Sequence, residues 1–149
     1  MDKLEQKHLQ LAQALETLNK SVTTFGIFVK EKKGYNPHMD YLEEYRMHRD
    51  SVIQRFEYSI DLFWKYIKKY LEDANALSGM KLPADVIRTA YSLELLSADD
   101  AETILQMIKD RNLTSHIYVE EIAEDLVADI PHYCQTLSKV LSRLAPSKQ

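Results

Sequence analysis

Residues 111–118 of this 149-residue chain bring a phosphate-binding side chain close to a proton-transferring one. The planar guanidinium of Arg111 can hold a phosphate through several fixed donors. The imidazole of His116 can accept or donate a proton near neutral pH. Such a pair is suited to cleaving a phosphodiester. The same residues also fit an ordinary helix end, with Asn112 as a cap, Arg111 as a surface cation beside the helix C-terminus and His116 as a buried, hydrogen-bonded histidine.

Two long apolar series indicate the elements that position this segment. The first repeats at heptad-type spacing and predicts a long helix, ended by Gly34, Asn36 and Pro37; its members are Leu4, Leu11, Leu15, Leu18, Val22, Phe25 and Val29. The second predicts another long helix, with Arg49 in one slot of the series; its members are Leu42, Tyr45, Val52, Phe56, Ile60, Phe63, Ile67 and Tyr70. Joined by a short break, they predict an antiparallel pair.

A loop and a short helix are predicted next. Residues 72–82 lose the apolar period and contain Gly79, which predicts a loop. Pro83 suits the first position of a helix, and the pattern extends that helix through Leu93.

Two further helices complete the predicted fold. Ser97, three residues before Asp100, predicts the start of a helix that should end near His116. A last helix is predicted over 119–144, with Pro131 expected to kink or interrupt it. No strand pattern and no long linker occurs in the sequence. We therefore predict a single all-α domain over 1–149, an antiparallel up-and-down bundle of about five helices.

Helical geometry predicts how the candidate site is arranged. Asn112 and His116 are four residues apart and share one stripe if the helix reaches His116. That stripe continues an apolar face formed by Ala101, Ile104, Leu105 and Ile108. Arg111 is rotated by about 100° and lies at the border of the stripe. Glu57 and Asp61, four apart on the second helix, are candidates to orient His116 across the bundle.

Composition limits the possible partners. The net charge of −4 and the pI near 5.7 provide no general positive field, so any RNA binding must be local, and we expect no DNA partner. The single cysteine, Cys134, cannot form an internal disulfide, which favours a reducing compartment. The N-terminus is too charged for a signal peptide, and no apolar run approaches the roughly 20 residues of a membrane span. The sequence predicts a cytoplasmic protein without a membrane partner.

The histidines do not have the spacing of a metal site. His8, His38, His48 and His132 are scattered, and neither an HExxH motif nor a Cys/His pattern is present. We expect neither a metal nor another cofactor.

The motif residues resemble a known family. Arg111, His116 and Tyr118 stand as in the Arg-x4-His-x-Tyr motif of HEPN-domain proteins, and Asn112 matches the polar residue that often follows the arginine. Residues 54–58 (Gln-Arg-Phe-Glu-Tyr) and 62–65 (Leu-Phe-Trp-Lys) are similar to the second-helix signature of the nucleotidyltransferase substrate-binding branch of that family. Residues 83–118 also follow that branch in order.

The resemblance implies a five-helix bundle that forms a homodimer with two motifs face to face. It also implies a partner, a small MNT-type nucleotidyltransferase encoded beside this chain. The chain has no Gly-Ser followed by Asp-x-Asp, so it is not itself the transferase.

Three functions are compatible with the residues. In the first, the chain is the toxin of a toxin–antitoxin pair, a metal-independent endoribonuclease in which His116 transfers a proton, Arg111 stabilises the phosphate and Asn112 orients either group. The resemblance suggests that the partner silences it by attaching AMP to Tyr118. In the second, the same residues hold a nucleotide or another substrate for the transferase without catalysis. The third is a helical dimerisation module.

Overall fold

The computed structural model describes residues 1–74, 79 and 82–147, and the elements in these ranges are helical. In chain order they are α1 (Lys3–Glu31), α2 (Tyr41–Asp73), α3 (Pro83–Ser92), α4 (Ala98–Arg111), a 3₁₀ turn (Thr114–His116) and α5 (Glu120–Arg143). The all-α bundle of five helices predicted from the sequence is confirmed. None of the helices in these ranges is long and apolar enough to cross a membrane.

The two longest helices form an antiparallel hairpin, and the others pack on it. Phe28 near the end of α1 stacks on Tyr41 at the start of α2, with ring centroids 5.1 Å apart. At the opposite end, His8 contacts Tyr66. α5 packs against both helices, and α3 and α4 pack against α2. The shared core joins residues of all five helices, among them Leu15, Phe56, Ile87, Ile104 and Leu137.

Local capping explains where several helices begin and end. The Asp2 carboxylate accepts the Glu5 N–H at 2.8 Å, and Asp40 does the same for α2. These bonds satisfy donors that a helix start leaves free. The C-cap of α1 is Lys32, whose φ of 55° is left-handed, two residues before the predicted stop at Gly34.

A buried carboxylate fixes the turn between α1 and α2. Glu44 is 5% exposed and accepts the backbone N–H groups of Tyr35 and Asn36 at 2.9 Å. His48, one turn further along α2, lies 3.5 Å from the same carboxylate. Hydrogen bonds from the backbone N–H groups of Asn36 and Tyr35, and from the His48 side chain, hold the pKa of Glu44 below its usual value. The turn is therefore anchored by a side chain of the helix that follows it.

The predicted apolar series need local correction. Phe28 is fully buried, whereas Val29 is 38% exposed, because a straight helix drifts from a strict seven-residue repeat. Leu42 is half exposed because Tyr41 instead supplies the ring that stacks on Phe28. Arg49 does occupy a buried slot, at 1% exposure.

Three boundaries differ from those predicted. α2 continues to Asp73, so the predicted loop over 72–82 begins later; residues 75–78, 80 and 81 of that loop lie outside the described residues. α4 ends at Arg111 and not near His116. α5 continues as one helix across Pro131, so the predicted interruption is wrong, while the alternative that Pro131 kinks the helix stays a prediction. Proline removes one backbone donor, and the apolar contacts of Ile130 and Cys134 on either side keep the helix in place.

Candidate functional site

The segment between α4 and α5, residues 112–119, is called the connector below. α4 begins with the predicted Ser97 cap, whose hydroxyl accepts the Asp100 N–H at 3.1 Å. Asp100 does not return the bond as in a capping box, because its carboxylate pairs with Lys139 of α5 at 2.7 Å. The helix then runs to Arg111, and Asn112 occupies the C-cap.

The helix tightens and ends before it can carry His116. The N–H of Asn112 bonds to the carbonyl of Lys109, and the N–H of Leu113 bonds to that of Asp110, both three residues back. Such bonds convert the last turn into a 3₁₀ path. The predicted stripe shared by Asn112 and His116 is therefore wrong, and both residues are exposed. The alternative position for Asn112, at the helix end, is the one observed.

Arg111 is held by two carboxylates of α2 and a hydroxyl of the connector. Its Nε and Nη2 donate to the two oxygens of Asp61 at 3.0 and 3.1 Å, a two-pronged pairing that suits the planar guanidinium. Nη1 donates to the hydroxyl of Thr114 at 3.3 Å, and Nη2 lies 3.6 Å from Glu57. The hydrogen bond to Asp61, aided by the charge of Glu57, raises the pKa of Arg111 further above its ordinary value.

Glu57 and Asp61 therefore act on a different residue from the one predicted. The sequence suggested that they orient His116, whereas the structure places both against Arg111. The reason is geometric: α4 has ended before His116, and its last residue, Arg111, contacts both carboxylates. In the described ranges, no hydrogen bond or ion pair joins Arg111 to His116.

Asp110 ties the same helix end to α5. Its Oδ2 accepts the hydroxyl of Tyr133 at 2.5 Å, and its Oδ1 accepts the amide of Gln106 at 2.9 Å. Asp110 and Tyr133 are both buried. Burial, together with the bond to Asp110, raises the pKa of Tyr133. Two consecutive residues thus connect the end of α4 to two different helices, Asp110 to α5 and Arg111 to α2.

His116 and Tyr118 form a separate, solvent-facing pair. Nδ1 of His116 lies 3.4 Å from the Tyr118 hydroxyl, and the two rings meet edge-on with centroids 6.0 Å apart. Tyr118 is 78% exposed, so its ring is not packed in the core. Both groups are therefore accessible to a ligand or to a partner protein.

A charged network at the start of α5 was not predicted as part of the site. Arg49, buried in the second apolar series, donates to Glu120 at 2.8 Å and to Asp50 at 3.0 Å. Arg46 also donates to Glu120, and the hydroxyl of Tyr45 donates to Glu124 at 2.7 Å. The signal in the sequence was an arginine in an apolar slot, because such a residue needs a carboxylate partner from another element.

The site offers exposed aromatic and imidazole rings, but not the donor set of a metal site. In the part of the chain that the structure describes, no group of three or more histidine, cysteine or acidic side chains is arranged to hold a metal ion. Cys134 lies in the core, where burial raises the pKa of its thiol to about 11. The chemistry available on the connector is hydrogen bonding, ring stacking and proton transfer by His116.

The five-helix bundle, with the connector between its last two helices, has the fold of a known protein family. Residues 3–146 match the family model described as "Nucleotidyltransferase substrate binding protein like", and the chain belongs to that family. This confirms the resemblance to the nucleotidyltransferase substrate-binding branch of the HEPN proteins.

The solved structures that share this fold include the following two. A protein of Thermus thermophilus is 32% identical, with a TM-score of 0.72 over 91% of this chain and 99% of that one. A Haemophilus influenzae protein, described as revealing the fold of a substrate binding domain of a nucleotidyltransferase, is 23% identical, with a TM-score of 0.64 over 89% and 99% of the two chains. No curated protein matches the chain.

Proposed function

We propose that this chain is the non-catalytic binding subunit of a two-component nucleotidyltransferase, holding a nucleotide or another substrate for a separate transferase chain. Membership in the substrate-binding family supports this role. The similar Haemophilus influenzae fold, described as that of a nucleotidyltransferase substrate-binding domain, agrees with it. In this role the exposed groups of Asn112 and His116 and the ring of Tyr118 form the binding surface.

The pairing of Arg111 is the observation that carries this proposal. A ribonuclease would use the guanidinium to stabilise charge on the scissile phosphate. Here Asp61 accepts from Nε and Nη2, Glu57 lies near the same Nη2, and the remaining nitrogen, Nη1, donates to Thr114. A phosphate would have to displace one carboxylate while lying close to another. Binding through ring stacking and neutral hydrogen bonds, which needs no free guanidinium, fits this geometry better.

The test is the activity of the transferase encoded beside this chain, measured with and without it. Nucleotidyl transfer should rise when the chain is added, and His116→Ala together with Tyr118→Ala should remove the rise. Glu102→Gln, on an exposed position in the first half of α4, is the matched control. A transferase that is indifferent to the wild-type chain would contradict the proposal.

A second candidate is the endoribonuclease toxin, favoured by the accessibility of His116 and Tyr118 and by their contact. The RNA 2′-hydroxyl would attack the adjacent phosphate, His116 would remove its proton or protonate the departing 5′-oxygen, and Arg111 would stabilise the phosphate after leaving Asp61. Asn112 would orient the phosphate or the imidazole. Two copies in a homodimer would supply a separate acid and base.

In this candidate Tyr118 is the regulatory acceptor. Its hydroxyl would attack the α-phosphate of ATP bound to the partner and release pyrophosphate. The attached phosphate would then place negative charge next to His116 and compete with RNA. Growth arrest on expressing the chain alone, relieved by His116→Ala, is expected. An RNA whose scissile ribose lacks its 2′-hydroxyl should survive, and its cleavage would rule this candidate out. Intact mass after incubation with partner and ATP, compared with Tyr118→Phe, tests the modification.

A further inference from the structure

The start of α5 is not fixed by its own N-cap residue. Val119 occupies that position, and a valine side chain has no oxygen to accept the free N–H groups of a first helical turn. The backbone N–H of Val119 bonds to the carbonyl of His116 at 3.0 Å, so the helix start and the imidazole-bearing residue are joined directly. Contacts with another helix must therefore decide where α5 begins.

Two arginines of α2 converge on Glu120, the first residue of α5. Arg49 donates through Nη1 to one carboxylate oxygen at 2.8 Å, and its Nη2 lies 3.5 Å from the other. Arg46, about one turn earlier, donates through Nε at 3.0 Å. Arg49 is 1% exposed, whereas the side chain of Arg46 is 42% exposed. An exposed ion pair contributes little, but a buried guanidinium must keep its carboxylate partner, so Arg49 is the contact that fixes Glu120.

The connector is thus attached to α2 at both of its ends. Just before it, α4 ends in Arg111, which pairs with a carboxylate of α2. Just after it, Glu120 pairs with Arg49 of the same helix. His116 and Tyr118 lie between these two contacts, four and two residues before Glu120. A shift of the start of α5 relative to α2 would therefore move both rings.

We propose that Arg49 is a positioning residue for the binding surface, acting through Glu120 to hold the rings of His116 and Tyr118 where a ligand meets them. The proposal rests on the proposed function, because these rings bind the ligand in that role. Arg49 itself is too buried to contact a ligand. A preformed surface avoids the entropy cost of ordering it on binding, so losing the ion pair should reduce affinity without removing a ligand contact.

The closing experiment combines amide hydrogen exchange with calorimetric titration of the full chain, using AMP as the probe. Arg49→Met removes the charge and keeps much of the side-chain volume. In this variant the Val119 N–H should exchange faster by about tenfold more than the Ala101 N–H, whose bond to Ser97 at the start of α4 reports global stability. AMP affinity should fall about tenfold.

Further variants test whether Arg49 acts through Glu120. Glu120→Gln should have the same effects as Arg49→Met, and combining the two should add nothing further, since each removes the same ion pair. Arg49→Lys keeps the charge, loses the two-pronged geometry and should fall in between; it also serves as the test if circular dichroism shows that Arg49→Met does not fold. Leu15→Ala, at a buried position of α1, is the matched control: it should lower the melting temperature but leave AMP affinity unchanged.

The outcomes separate positioning from function. If Arg49→Met binds AMP like the wild type, or if the two amides accelerate equally, Arg49 is only structural and the proposal is wrong, while the binding-subunit role stays intact. Additive losses of AMP affinity in the double variant would also overturn it, because Arg49 would then not act through Glu120. If the wild type neither binds AMP nor stimulates the transferase, the proposed function fails, and the exchange rates alone decide whether Arg49 positions the connector.

Discussion

The guanidinium of Arg111 meets two carboxylates and a hydroxyl before any ligand arrives. Asp61 contributes both of its oxygens, so it occupies the face that a phosphate would use. Arg111 therefore links the end of α4 to α2 through its contact with Asp61. To bind an anion, Arg111 must either release Asp61 or donate to Asp61 and the anion together.

Replacing Asp61 should therefore expose the arginine. In Asp61→Asn the two-pronged ionic pairing is lost, and we expect AMP to bind several times more tightly because Arg111 becomes available to its phosphate. The pair is about one-third exposed, so the loss of unfolding free energy should be modest, about 0.5–1 kcal/mol. Calorimetric titration with AMP and urea unfolding measure the two effects. Unchanged AMP binding, with the stability loss observed, would mean that Arg111 is purely structural.

The candidate site residues could be named from the sequence, but their contacts could not be predicted. Arg111, His116 and Tyr118 were selected from their spacing together with the resemblance to the Arg-x4-His-x-Tyr motif, and their role stays a prediction. The partner of Glu57 and Asp61 was not predicted correctly, because it depends on α4 ending at Arg111. The bonds that end α4 are between backbone groups three residues apart, which side-chain patterns do not report.

The helices themselves were predicted where the apolar period is long or a cap is explicit. Pro83 does open α3 and Ser97 does cap α4, since each acts through its own local chemistry. The predicted end of α2 was two residues too early, and that of α4 was about five residues too late. Buried Leu71 keeps the end of α2 packed on the core, whereas the backbone bonds of Asn112 and Leu113 end α4.

One buried hydroxyl links the end of α4 to α5. Tyr133→Phe keeps the ring, which stacks on Phe56 with centroids 5.6 Å apart, but leaves Asp110 without its closest donor. An unsatisfied buried acceptor of this kind costs about 1–3 kcal/mol of unfolding free energy. Urea unfolding should show this loss, whereas Tyr91→Phe, at a half-exposed position, should be neutral. Equal effects of the two variants would show that the bond to Asp110 contributes nothing.

The whole bundle should lose stability in acid, because two of its carboxylates have lowered pKa values in the folded state. The backbone donors at Asn36 and Tyr35 lower the pKa of Glu44, and the bond from Arg49 lowers that of Glu120. A carboxylate whose folded pKa is lowered stabilises the fold above its unfolded value of 4.5, and this contribution is lost as pH falls through the folded pKa.

Glu44→Gln tests the acid dependence directly. The variant should have a lower melting temperature at pH 7, because the amide can no longer act as a double anionic acceptor at the α1–α2 turn. Below about pH 4.5 its melting temperature should fall less steeply than that of the wild type. Circular dichroism melts across this range measure both effects. If the melting temperatures of the two proteins fall in parallel with pH, Glu44 does not contribute to the loss of stability in acid.

The two side-chain contacts at the end of α4 also affect the order in which the chain folds. Asp110 and Tyr133 are separated by 23 positions along the chain, and Asp61 and Arg111 by 50. Contacts over such distances form slowly compared with the turn between α1 and α2, where Glu44 reaches back only eight or nine residues. A newly made chain that has formed only its first hairpin therefore lacks an ordered connector. We therefore expect the surface that carries His116 and Tyr118 to form only after α4 and α5 have packed on this hairpin.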